Sequence, residues 1–411
     1  MQAFTRRAAL LGGAALAAAP TAAFSAGRRL EIPFKVTLNR PWTALTINGE
    51  GPFRCLIDTG ASGFAISDAI ARRLKLPVSR TVTAQAAVGK VRMSSYNVRE
   101  VVVGGAVKDR DIYVLGWDVP EDAFIVGIVP ASLFALASMG MDFDKGTMTV
   151  APPRSFKLPD HEELPSVSRP ILGKGGVALE EMSGQMAGHV QTLAEDYDPR
   201  PTIRAEIDGA PVKLLLDTGA DSALFLFPDY VKRAGLWDRY PRWREGVSSG
   251  IAGLFETRLV RGVNLKLGSF QISRPVMLLG DPADVGRDGF KEADGVIGTE
   301  ILRRFSFATD PQDQKVWLKP NAAFAEPIRY DRSGLSLERV EGRITVTAVE
   351  EKSAAHRAGL LQGDVIAAFA GEGGYEGLLW ALQGPAGSVV DLLVEREGAR
   401  TELGLRLLER L

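Results

Sequence analysis

One short device occurs twice in this chain, and that repetition limits its folds more than any other feature. Residues 56–62 read LIDTGAS and residues 215–221 read LLDTGAD; each is an apolar run suited to a buried strand that ends on a carboxylate, Asp58 or Asp217. A lone Asp-Thr-Gly also reads as a turn, because Asp bonds its own backbone two residues on and Gly tolerates positive φ. The repeat, however, is longer than the motif. Setting RPWTALTINGEGPFRCLIDTGAS (40–62) beside RPTIRAEIDGAPVKLLLDTGAD (200–221) matches Arg40-Pro41 with Arg200-Pro201, Asn48-Gly49 with Asp208-Gly209 and Pro52 with Pro211. One residue is slipped into the first copy after the turn. Each copy reads as strand, tight hairpin turn, strand, carboxylate.

The correspondence continues downstream. Each D-T-G-A precedes a short strand and a helix, SDAIARRLKL from Ser67 and PDYVKRAGL from Pro228, with a capping residue or Pro at the start. Later come two apolar residues and a glycine leading into a helix, around Gly127 in IVGIVPASLFAL and around Gly298 in VIGTEILRRF. Each copy closes on a strand pair, MGMDFDKGTMTVAP and FSFATDPQDQKVWLKP, in which Asp144 answers Asp310.

Over residues 30–155 and 195–320 this pattern resembles the retropepsin-like aspartic proteases, in which two such lobes meet about a two-fold axis. The resemblance implies a mainly β chain with two lobes, 27–155 and 196–321, in the single-chain arrangement. It also implies a catalytic dyad of Asp58 and Asp217. Thr59 and Thr218 would bond across the axis beneath it, and Gly60 and Gly219 would let the backbone approach and donate amide protons. The chemistry suits the residues: two carboxylates a hydrogen bond apart cannot both ionise, so the pair holds one proton and supplies a base and an acid together. Ala61 and Ala220 stand where pepsin-like enzymes usually carry a hydroxyl, which implies activity at weakly acidic to neutral pH. Retroviral enzymes place Asp after this Ala to receive substrate backbone; Asp221 keeps the acid, whereas Ser62 does not, so Asp221 needs a different partner and substrate binding is expected to be asymmetric. Two hairpins, TAQAAVGKVRMSSY with Gly89 and VSSGIAGLFETRLV with Gly250 and Gly253, are candidate flaps closing over substrate, or else ordinary glycine-turn hairpins.

Other classes of function fit poorly. A formal net charge of −1 over 411 residues offers no footprint for nucleic acid. The three histidines, His161, His189 and His356, show no metal-ligand spacing, and no nucleophile elbow or phosphate loop occurs, so neither cofactor nor metal is expected. Residues 1–26 carry Arg6-Arg7, a small-residue apolar stretch too short to span a bilayer, and candidate cleavage sites near Ala23–Ala26. They resemble a twin-arginine export signal, which implies a periplasmic or secreted protein without a stable membrane span. Cys55 is the single cysteine, so no intrachain disulfide forms, and its place in an apolar strand marks a small buried hydrophobe.

Residues 156–195 are rich in Pro and Gly and read as a linker. From about Ala322 to Leu411 the pattern changes to alternating strands, two short helices and A-G-L-x-x-G-D-x-I from Ala358 to Ile366. This stretch resembles a PDZ domain, an α+β module. The resemblance implies a peptide-binding loop at Ser333, Gly334, Leu335 and Ser336, a receiving strand from Leu337, and a C-terminal peptide as ligand. The expected partners are thus protein or peptide substrates. The competing reading is a noncatalytic peptide-binding scaffold that keeps cleft and groove.

Overall fold

Two hairpins set the architecture. The computed structural model describes residues 29–86, 88–135, 137–167, 200–284, 292–340 and 342–411; the export signal expected over 1–26 and the linker from 168 to 195 lie outside them. Asn48 and Gly49 adopt φ of 52° and 86°, and Asp208 and Gly209 adopt 51° and 80°. Positive φ at both central residues gives the two-residue turn whose twist matches the flanking strands. Strands Arg40–Ile47 and Glu50–Asp58 pair across the first turn, and Thr202–Ile207 and Ala210–Leu216 across the second. The slipped residue of the first copy is a bulge between Leu45 and Ile47, whereas the second ladder runs unbroken.

Each hairpin seeds a sheet. The N-terminal sheet has eight strands and the C-terminal one nine, and in each the carboxylate-bearing strand runs parallel to a short buried strand, Gly127–Pro130 or Gly295–Ile297. Buried on both faces, these central strands are apolar runs such as Leu214-Leu215-Leu216 rather than alternating ones. Helices Asp68–Arg73 and Pro228–Arg233 fall in the expected places, although Ser67 caps nothing; its hydroxyl donates to the Val119 carbonyl at 2.6 Å.

The register corrects two pairings of the repeat. Asp58 stands opposite Pro130 and Leu216 opposite Ile297, so Gly298 corresponds to Pro130, and Gly127 corresponds to Gly295. The backbone bonds agree: Ala131 N donates to Ala61 O, and Thr299 N donates to Ala220 O. The N-terminal copy therefore reads Ile128-Val129-Pro130, with proline where its twin has glycine. Gly127 is required for another reason, since a Cβ there would lie 2.6 Å from Cys55 Sγ and 2.7 Å from Ala65 O. Likewise Asp142, not Asp144, answers Asp310, because Asp142 faces Thr147 across its turn as Asp310 faces Lys315.

The lobes are joined by a six-stranded sheet in which Ser138–Asp142 pairs antiparallel with Phe305–Asp310, one strand from each lobe. Its far edge corrects the linker expectation, because Glu162–Pro165 pairs with Lys315–Pro320. A second tie is fully buried Glu300, which accepts from Arg304 Nη2 at 2.7 Å, from Asn39 Nδ2 of the other lobe at 2.9 Å and from Arg329 N at 2.9 Å. The last stretch, from Leu335, forms a five-stranded antiparallel sheet with helices Ala354–Arg357 and Gly374–Ala381 and its own core around Val346, Ile366 and Leu392. Ile328, Tyr330 and Leu411 dock it onto the core of the lobes.

Truncating Glu300 to Ala would strand the buried Arg304 charge, so Glu300→Ala should lower unfolding stability by about 3–5 kcal/mol. Urea denaturation checks this, and a loss below about 1 kcal/mol would show that the cluster holds little.

Candidate active site

The two D-T-G loops meet face to face at the seam between the lobes. Each threonine bonds to the other lobe: Thr59 Oγ1 donates to Leu216 O and Thr218 Oγ1 donates to Ile57 O, both at 2.6 Å. Thr59 N donates to Thr218 Oγ1 at 3.1 Å, and Thr218 N donates to Thr59 Oγ1 at 3.0 Å. Both side chains are buried, so all four groups are satisfied by this exchange alone.

Above this lattice stand the carboxylates. Asp58 Oδ1 accepts from Gly60 N at 2.9 Å and Ala61 N at 2.8 Å, and Asp217 Oδ1 accepts from Gly219 N at 2.8 Å and Ala220 N at 3.3 Å. The glycines are needed for the approach itself. A Cβ on Gly60 would lie 2.6 Å from the Asp217 carboxyl carbon, and one on Gly219 would lie 2.4 Å from that of Asp58. Burial first, and then the neighbouring charge of Asp217, drives Asp58 well above the usual carboxylate range, against the pull of the Ala61 and Gly60 amides. Asp217 is raised as well, again mainly by burial, while the Gly219 and Ala220 amides, the Asp58 carboxyl and the Arg200 charge draw it down. Both carboxyls are thus held toward their protonated forms, Asp58 the more strongly.

The surrounding expectations divide. Asp221 finds its partner in Arg40 of the other lobe, Nη2 to Oδ2 at 2.7 Å, and its backbone carbonyl accepts from Asn39 at 3.1 Å. Ser62 is exposed and offers no carboxylate, so the two sides of the dyad differ. Gly89 takes φ of 81° in the turn of the N-terminal hairpin, and Val88 beside it is buried against Leu215, Phe225 and Val296 of the opposite lobe, with Ala220 packed alongside. Gly250 pairs with Gly253 at the tip of the other hairpin, whose Ile251 packs against an N-terminal cluster containing Ala65, Met93 and Ile128. Each hairpin tip therefore reaches across to the other lobe. The sequence marked the glycines of these hairpins; Val88 and Ile251, which make the contacts, carried no signal beyond being apolar beside a turn.

Gly334, Leu335, Ser336 and Leu337 lie in the five-stranded domain, away from the dyad. Among the described residues no group of His, Cys, Asp and Glu is arranged to hold a metal. Cys55 is buried within the strand that carries Asp58, and burial pushes its thiol far up, as befits a packing residue. A Ser306–His161–Asp160 line exists in a separate cavity of the six-stranded sheet, with His161 Nε2 3.4 Å from Ser306 Oγ and His161 Nδ1 2.8 Å from Asp160 Oδ1, while Lys319 holds the second Asp160 oxygen at 2.5 Å.

Residues 43–128 match a family model described as gag-polyprotein putative aspartyl protease, and residues 203–301 match one described as aspartyl protease. The matched segments lie within the two lobes, and each includes one D-T-G loop. Together they support two retropepsin-like aspartic-protease lobes in one chain, and protease activity with them.

The raised carboxyls carry a stability consequence. The folded state keeps a proton that the unfolded chain gives up near the ordinary Asp value, so the dyad's contribution is full below that value and is lost as pH rises through the folded one. Asp58→Asn removes this loss. Its urea midpoint should exceed that of the unsubstituted chain at pH 7, by about 1–2 kcal/mol in stability, and the gap should shrink toward pH 4. A gap independent of pH would show that the pair is not raised.

Proposed function

We propose that this protein is an exported aspartic endopeptidase that hydrolyses peptide bonds with a water activated between Asp58 and Asp217. The single observation that carries the reading is the pair of buried carboxyls brought face to face by reciprocal threonine bonds, each held by the amides of its own loop. The ionised member takes a proton from water as its oxygen attacks the scissile carbonyl carbon. The protonated member gives its proton to the carbonyl oxygen. The resulting gem-diol then collapses: one hydroxyl returns a proton to the dyad, and the leaving nitrogen receives a proton as the C–N bond breaks. Neither transfer requires a group beyond the dyad.

The apolar tips Val88 and Ile251, each packed against the opposite lobe, would exclude water from the cleft once substrate is seated. Asp221, steadied by Arg40, presents an acceptor for substrate backbone on one side only. The C-terminal domain, PDZ-like in sequence, would recruit protein substrate by strand addition to Leu335–Val340, with Gly334, Leu335, Ser336 and Leu337 receiving a terminal carboxylate. In support, Leu335–Val340 is an edge strand of its sheet. The Tyr375 hydroxyl now donates to Leu337 O at 3.1 Å, so an incoming strand would have to displace it. Export fits the amino-terminal pattern, and no helix among the described residues is long and apolar enough to cross a membrane.

The test is cleavage of casein by the mature chain across a pH series. Asp58→Asn and Asp217→Asn should each lower the rate by about 10²–10⁴-fold with folding intact by circular dichroism, and the active pH window should belong to the pair. Cleavage surviving both substitutions would overturn the mechanism; a folded wild type that binds peptides and cleaves none would favour the scaffold.

A further inference from the structure

The hairpin of the C-terminal lobe whose tip packs against the opposite lobe is held at its outer end by another domain. Its strands are Trp243–Gly250 and Gly253–Arg261, and Arg244 and Arg261 mark the end away from the tip. Arg244 is paired with Glu350, and Arg261 Nη2 lies 2.8 Å from Glu409 Oε1; both glutamates belong to the five-stranded domain. The two arginine side chains are only 15% and 13% exposed while each glutamate is 45% exposed, so the pairs are half-enclosed, screened from the glutamate side and sheltered on the hairpin side. Within its own lobe, Trp243–Gly250 is an outermost strand paired with Gly253–Arg261, and Arg258 stacks between Trp237 and Trp243 at 4.0 Å from each ring.

The same glutamates are fixed from behind. Glu350 is also paired with Arg410, whose Nη1 lies 2.8 Å from Asp331 Oδ2, and Glu350 N donates to Gly334 O at 2.9 Å. Glu409 accepts from Tyr330 at 2.5 Å. The domain thus grips the hairpin with parts of its own frame, adjoining the loop that begins at Ser333.

We propose that the five-stranded domain acts on the flap itself: through Glu350 and Glu409 it sets the mobility of hairpin Trp243–Arg261, and so access to the dyad, for peptides too short to reach the domain as well as for proteins. Its consequence for turnover rests on the protease reading above, but the clamp does not. The clamp is one-sided, because Glu350 and Glu409 reach the C-terminal hairpin, while the N-terminal hairpin of Val78–Gln85 and Lys90–Val103 belongs to the other sheet.

Amide hydrogen exchange on the full chain tests this directly, comparing the unsubstituted protein with Glu350→Gln/Glu409→Gln. Residues 245–256 should exchange about fivefold faster in the variant, while Val78–Gln85 and Ala210–Leu216 stay unchanged. A short internally quenched peptide with both ends blocked should lose about fivefold in kcat/KM. If circular dichroism shows the double variant unfolded, Glu409→Gln alone serves, with a smaller shift of the same pattern. Equal exchange at 245–256, or acceleration spread evenly over the C-terminal lobe, would overturn the proposal. Selective acceleration in a protein that cleaves no peptide would uphold the clamp and remove the protease reading.

Discussion

Everything in this molecule is arranged so that two threonine hydroxyls can each reach a carbonyl in the opposite lobe. Thr59 and Thr218 are buried in the closed seam, where a hydroxyl without a partner costs about 1–3 kcal/mol, so once the lobes meet each loop needs the other's carbonyl. The exchange with Leu216 O and Ile57 O makes the lobes mutually dependent at the point where the carboxylates stand. Lobe pairing and dyad assembly are therefore one event. The parallel strands Gly127–Pro130 and Gly295–Ile297 brace the loops from behind, and the six-stranded sheet closes the seam on another side.

That dependence explains what a duplicated single chain can do. The symmetric parts are those the dyad needs: both D-T-G loops, both alanines, both glycines whose Cβ would strike the opposite carboxylate. Away from them the copies diverge without harm to the seam. Pro130 answers Gly298, Ser62 answers Asp221, and the Arg40–Asp221 pair fixes one side of the cleft only. A C-terminal domain gripping one hairpin is a further departure of this kind, available because each half of the cleft has its own sequence.

Much of this was legible in the sequence, because hairpin turns and strand-terminal carboxylates are set by local chemistry. Asn48-Gly49 and Asp208-Gly209 announce the turns, and even the slipped residue appears as a bulge. What misled was a short motif without register: Ile-Val-Gly at Gly127 looks like Val-Ile-Gly at Gly298, yet parallel pairing places Pro130 opposite Asp58. A parallel neighbour seventy residues away leaves no turn by which to count. Arg40 was visible as half of a repeated Arg-Pro pair, but its contact with Asp221 crosses lobes and has no local trace. Glu300 is half legible: Arg303 and Arg304 stand three and four residues on along the same turn, whereas Asn39 and Arg329 arrive from distant segments.

The dyad's own energetics bear on whether the cleft is used. Two carboxyls brought together under burial oppose folding at any pH where the pair must ionise, and apolar or amide residues in their place would relieve that cost. Threonine bonds and loop amides would survive such a replacement, since Asn accepts from Gly60 or Gly219 as Asp does. A peptide-binding cleft needs the flaps, the apolar tips and an acceptor such as Asp221, but it has no need of a proton poised between two acids. Both aspartates are nonetheless present, at the one place in the fold where they disturb each other most. That disturbance is the property hydrolysis requires.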